Sequence, residues 1–117
     1  MENAPVKLTV KFFRTDGGNE PVREWLREQT LEVRKLVGAD IKTVQIGWPL
    51  GMPVVRKMDK DLWEVRTTFS DGIARVLFTV IGTEIVLLHG FIKKSQETPK
   101  SDLDLAKGRN SKLRGKR

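Results

Sequence analysis

The chain contains no cysteine, no tyrosine and a single histidine, His89. The missing cysteines exclude a disulfide framework, a cysteine-based zinc site and thiol chemistry together. One histidine weighs against conventional zinc and paired-histidine mechanisms. No apolar run approaches the length of a membrane span, because the longest hydrophobic stretches are strand-sized. The N-terminal MENAPVKLTV lacks a charged segment leading into an apolar one, so a cytoplasmic protein is expected. Glycine-rich phosphate loops, metal-ligand motifs and a Ser-His-Asp order are absent too. No cofactor and no metal are expected.

What remains is the composition of a soluble globular protein. With 117 residues, 38% hydrophobic and 32% charged, one domain is the natural reading. The net charge of +7 is unevenly spread. Residues 1–105 hold sixteen Lys and Arg against all fifteen acids, whereas residues 106–117 hold six basics and no acid. The body is therefore almost neutral, residues 1–107 form the domain, and 108–117 is expected to be a mobile basic tail. Such a tail either solubilises or adds salt-sensitive affinity for a polyanion. Any other functional electrostatics must come from local clustering.

Residues 6–13 alternate at the period of a strand, with Val6, Leu8, Val10 and Phe12 on one face. Asp16-Gly17-Gly18 ends it, and Asn19 is a candidate cap for a helix over 20–29 with Val22, Trp25, Leu26 and Gln29 on one stripe. Thr30 caps a second expected helix, 31–46, lined by Val33, Val37, Ile41 and Val44. Two prolines and two glycines within 47–53 break it. Three strands follow, Leu62–Phe69, Ile73–Ile81 and Glu84–Ile92, with glycine-containing hairpin turns between them. Ser101, Asp102, Leu103, Leu105 and Ala106 suggest a short closing helix that ends near Gly108. The order β-α-α-β-β-β-α predicts an α+β fold: an antiparallel-rich four-stranded sheet, both N-terminal helices on one face, the other face partly open.

The chemistry-bearing residues cluster in the last strands. Arg66 comes near the end of the first strand of the meander and Arg75 near the start of the second, so a hairpin brings them close to one another. Lys93 and Lys94 follow the third strand directly. Four cations at one sheet edge can receive phosphate, and the alternative is that they simply point into water. His89 shares a face with Phe91 and Lys93 by alternation. It is either a satisfied strand histidine or a proton-transfer group. Trp63 is either core or a stacking platform for a base. Glu64 reads first as an ion-pair partner of Arg66 or a lysine, and second as a base.

The run from Pro53 to Pro99 resembles the phage-derived HigB-like branch of the RelE/ParE toxin superfamily. The resemblance rests on Leu62-Trp63-Glu64-Val65-Arg66, on Arg75-Val76-Leu77, and on His89-Gly90-Phe91-Ile92-Lys93-Lys94 running to Thr98-Pro99. It implies a RelE-like fold and the toxin of a type II toxin–antitoxin pair, usually an endoribonuclease cutting mRNA on the ribosome. Arg66 and Arg75 match the basic strand residues of the RNA site, Lys93 and Lys94 the basic pair after the last strand, and His89 a branch position of open role. The tyrosine of some relatives has no counterpart. Candidate RNA contacts beyond the centre are Arg56, Lys57, Trp63, Lys107 and Arg109.

The implied reaction is attack of a ribose 2′-hydroxyl on its own phosphate, which needs no metal because the substrate carries the nucleophile. Arginine stays protonated and can stabilise charge but cannot be the base. Proton transfer then falls to Lys93, Lys94 or His89. The resemblance also implies a helix-turn-helix, HigA-like antitoxin, with the toxin monomeric when free and heteromeric in that complex. Two other readings stay open: a gyrase-poisoning toxin of the ParE type, and a non-catalytic RNA-binding phage accessory protein.

Overall fold

A computed structural model describes residues 8–115. The first expected strand is β1, Thr9–Phe12, while Val6 and Lys7 lie outside the described residues. Helices α1, Pro21–Arg27, and α2, Leu31–Gly47, follow. Glu20, not Asn19, occupies the N-cap of α1. Asn19 is used by the preceding turn, where its carbonyl accepts from Thr15 N at 2.8 Å and its amide donates to Thr15 Oγ1 at 3.1 Å. Thr30 caps α2 as expected, its side chain accepting from Val33 N.

The sheet has five strands, not four. Strand β2, Val55–Asp59, precedes β3 (Leu62–Phe69), β4 (Gly72–Ile81) and β5 (Glu84–Lys93). Spatial order is β1-β5-β4-β3-β2, and β1 runs parallel to β5 while the remaining pairs are antiparallel. Only Val55 of β2 is buried; Arg56, Lys57 and Asp59 are exposed. Charged side chains are what a protected edge strand carries, and they hide it from a search for apolar alternation. Asp61 adopts φ 54° in the two-residue turn to β3, a left-handed conformation that Asp tolerates.

On one face lie α1 and α2. Val33, Val37, Ile41 and Val44 of α2 are buried against Val65, Val76, Phe78, Ile85 and Leu87. Each such side chain contributes roughly 1.5–3 kcal/mol relative to exposure. Trp25 and Leu26 of α1 pack on the same cluster.

The opposite face is covered, against expectation. Helix α3 spans Lys100–Gly115 instead of ending near Gly108. Ala106, with Leu103 and Leu113, packs on Phe13, Leu62, Leu77, Val86, Leu88 and Phe91. The segment expected as a mobile tail is thus helical through Gly115; Lys116 and Arg117 lie outside the described residues. Its polar residues are tied to the sheet. Arg109 Nη1 donates to Leu88 O at 2.8 Å, Asn110 Nδ2 to Asp61 O at 2.8 Å, and Arg114 Nη2 to Thr79 Oγ1 at 2.6 Å. Low apolar content misjudged the segment because hydrogen bonds to the sheet and its turns do part of the anchoring. Among the described residues no helix is long and apolar enough to cross a membrane.

Candidate functional site: a roofed pair of arginines

Hairpin register sets the site. The turn at Ser70-Asp71 places Arg66 directly opposite Arg75, and Glu64 opposite Leu77. On the other side of β4, Phe91 lies opposite Arg75, His89 opposite Leu77 and Lys93 opposite Ile73. Period-two alternation therefore gives Glu64, Arg66, Arg75, His89, Phe91 and Lys93 the α3-side face. A bulge makes this possible. Leu77 pairs with His89 but Phe78 pairs with Leu87, leaving Leu88 as the extra residue. Without it, Leu88 and Phe91 would fall on opposite faces; with it, both join the same cluster.

Like charges directly opposite each other destabilise a sheet unless something compensates. Here the compensation is Glu64, which is fully buried. Its Oε1 accepts from Arg66 Nε at 2.8 Å, and its Oε2 accepts from Thr98 Oγ1 at 2.6 Å. Arg75 is also fully buried and reaches Glu64 through the same hydroxyl, since Nη1 donates to Thr98 Oγ1 at 3.3 Å. Burial pulls the Arg75 guanidinium below its ordinary value; Glu64 opposes that, while Arg66 and Arg56 add to it. The group stays a cation nonetheless.

A loop roofs both arginines. Residues 94–99 leave β5 and return to α3, and Arg75 Nη2 donates to Ser95 O while Arg66 Nη2 donates to Gln96 O at 2.9 Å. Arg75 Nε is buried without a hydrogen-bond partner, alone in this among the described side-chain nitrogens and oxygens. Lys93 and Lys94 are exposed beside the loop, and neither forms an ion pair among the described residues.

His89 sits on this face but is held by α3. Its Nε2 lies 2.6 Å from Asp102 Oδ1, and its ring stacks on Phe91. Arg56, opposite Glu64 on β2, belongs to the arginine face. Lys57 and Trp63 face each other across β2 and β3 on the other side. Trp63 packs against Trp48 and Phe78 there, so it serves the core and does not reach the arginines. Lys107 pairs with Asp59 at 3.4 Å, and Arg109 is committed to Leu88 O with its guanidinium over Phe13. Both belong to α3 beyond the arginine end. The described cavity, of about 310 Å³, lies on this flank between Phe13, Leu105, Arg109 and Lys112, and contains neither Arg66 nor Arg75.

Thr98 and Asp102 escaped the sequence reading. Both sit where α3 begins, and in the sequence Thr98-Pro99 stands out only as the end of the motif that starts at His89. Their partners are 34 and 13 residues away, beyond any local pattern.

These features define a class: a small α+β protein whose mixed sheet carries a roofed arginine pair at one end. The chain belongs to the phage-derived Gp49-like protein family (DUF891), which it matches over residues 24–111. That span runs from α1 into α3 and contains every residue of the arginine cluster. Among curated proteins none matches the chain.

Proposed function

We propose that this protein is the toxin of a type II toxin–antitoxin pair, of the RelE-like, HigB-like kind, and that it cleaves mRNA without a metal. Membership of the Gp49-like family supports a phage-derived origin. The observation that carries the reading is the juxtaposition of Arg66 and Arg75 on one face, with Lys93 and Lys94 exposed beside them. Two guanidinium forks and two mobile ammonium groups form a receptor for a phosphodiester.

In the proposed reaction the ribose 2′-oxygen bonds to the adjacent phosphorus and the bond from phosphorus to the 5′-oxygen breaks. The products are a 2′,3′-cyclic phosphate and a 5′-hydroxyl. The 2′-hydroxyl proton leaves to a base and the 5′-oxygen gains one from an acid. Arg66 and Arg75 stabilise charge on the pentavalent phosphorane. Lys93, Lys94 or His89 handles the protons, with Asp102 orienting the His89 ring. A lysine serves as base only where neighbouring cations lower its pKa. The proposed partners are mRNA, the ribosome and a helix-turn-helix antitoxin.

The test is expression of the protein followed by sequencing of RNA ends. New 5′-hydroxyl ends paired with cyclic phosphates, abolished by Arg75→Ala together with a preserved fold, are expected. Intact mRNA with DNA breakage would place the protein with gyrase poisons instead. Intact mRNA and intact DNA, with growth unaffected, would leave only a binding role.

A further inference from the structure

The arginine donors point at a backbone loop and away from solvent. The carbonyls of Ser95 and Gln96 take one N–H each from Arg75 and Arg66, and the Thr98 hydroxyl takes another from Arg75. A carbonyl oxygen is a neutral stand-in for a phosphate oxygen, and a guanidinium prefers the charged acceptor. We propose that residues 94–99 form a strap that closes the anion site, that Thr98 is its latch, and that a phosphodiester enters by taking the donors that the strap carbonyls now hold. The inference rests on the reading of Arg66 and Arg75 as phosphate-receiving groups.

The strap has the physical character of a moving part. Lys94, Ser95, Gln96 and Glu97 are exposed, and residues 94–98 include no apolar side chain to anchor them. Segments held by a few polar contacts and no buried apolar surface open locally at the low end of a protein's stability range. The floor beneath is fixed, because Arg75 and Glu64 belong to β4 and β3 inside the ladder. The far end is fixed as well: Leu103 N donates to Pro99 O at 3.1 Å, and Asp102 holds His89. Movement is thus confined to a few residues, with Thr98 at its boundary.

Arg75 also has an unused donor. Its Nε is buried and unpartnered, so the closed strap satisfies the guanidinium incompletely. An oxyanion with several acceptor oxygens can satisfy what one carbonyl and one hydroxyl leave over at Arg75. Thr98 is suited to be the latch because its hydroxyl bridges Glu64 and Arg75 at once, so one side chain senses both the acid and the cation.

Arginine-directed dicarbonyl labelling with peptide mass mapping tests this without RNA. In the wild type, Arg75 should react far more slowly than exposed Arg27, at a rate that stays flat in dilute urea because local opening exposes little surface. Thr98→Val should raise the Arg75 rate about tenfold and leave Arg27 unchanged, and Thr98→Ser should restore protection. Inorganic phosphate added to Thr98→Val should slow the Arg75 reaction again. An Arg75 rate equal to that of Arg27 in the wild type would overturn the strap. So would an Arg75 that reacts only as urea unfolds the whole domain, a measurement that needs no variant. Failure of phosphate to protect would overturn the anion site beneath it. If labelling behaves as expected and RNA stays uncut, the strap stands and the nuclease reading falls.

Discussion

A methyl group placed on Gly90 would stand 2.4 Å from Cε3 of Trp25. Strand β5 and helix α1 approach closely here, and the ring covers the backbone where a side chain would otherwise be. Gly90→Ala is expected to cost about 1–3 kcal/mol through forced displacement of the ring, and Gly90→Val more. Urea denaturation monitored by tryptophan fluorescence checks both.

Glu64 is the one buried acid beside the opposed Arg66 and Arg75. Glu64→Gln leaves these cations facing each other without a counter-charge. A loss of about 3–5 kcal/mol is expected, the range for breaking one partner out of a buried ion pair. Its measure is the shift in urea midpoint at unchanged slope. A loss below about 1 kcal/mol, typical of an exposed pair, would show that solvent supplies the compensation.

Lys93 and Lys94 are exposed beside the strap, so their contribution to RNA binding is read best through salt. If each neutralises one phosphate, Lys93→Ala and Lys94→Ala should each flatten the slope of log affinity against log salt by about 0.7 for single-stranded RNA. The cleavage positions should not move. Arg66→Ala instead should reduce cleavage rate roughly 100-fold or more, the scale for removing an electrostatic stabiliser of a transition state.

Asp59 is held below the ordinary carboxylate range, first by the backbone amide of Lys60 and then by the hydrogen bond and charge of Lys107. A carboxyl depressed by folding contributes stability above its unfolded pKa and loses it as pH falls through the folded value. Lys107→Ala should therefore move the Asp59 titration upward, toward but short of the ordinary value, because the Lys60 amide remains. Carbon-detected NMR titration of the carboxyl reads this directly.

Much of the architecture was legible because it obeys simple periods. The stripe Val33, Val37, Ile41, Val44 announces α2, and the hairpin after Phe69 brings Arg66 near Arg75, although their direct pairing depends on Gly72 belonging to β4 and not to the turn. The parts that were not legible have long-range causes. Strand β2 buries a single residue, so nothing in it alternates visibly. Helix α3 looks too polar to fold because Asn110 occupies a buried position, and its partner Asp61 lies 49 residues away. At the site, both arginines and the ion-pair role of Glu64 were readable. The Thr98 hydroxyl was not, since its importance depends on where a loop returns.

Truncation gives the matching experiment. Deleting residues 108–115 removes Asn110, Leu113 and Arg114 and uncovers part of the apolar face that holds Leu77 and Leu88. Circular dichroism and thermal melting are expected to show a markedly destabilised or unfolded chain. A truncated protein that melts like the full chain would mean this end of α3 adds nothing to the fold.

The extra residue at Leu88 also limits how the gene can change length. Loops between the other elements can absorb an added or lost codon by local adjustment. Loss of the Leu88 codon would restore a regular ladder in which Gly90 and Phe91 keep their present faces, with one apolar side chain removed from the α3 side. One codon gained between His89 and Gly90 would instead turn the rest of β5 over, aiming Phe91 toward α1 and setting the new side chain against the ring of Trp25. Single-codon insertions should thus be tolerated at the hairpin tips and purged from the middle of β5, which makes the Gly90 position a fixed mark for aligning distant relatives.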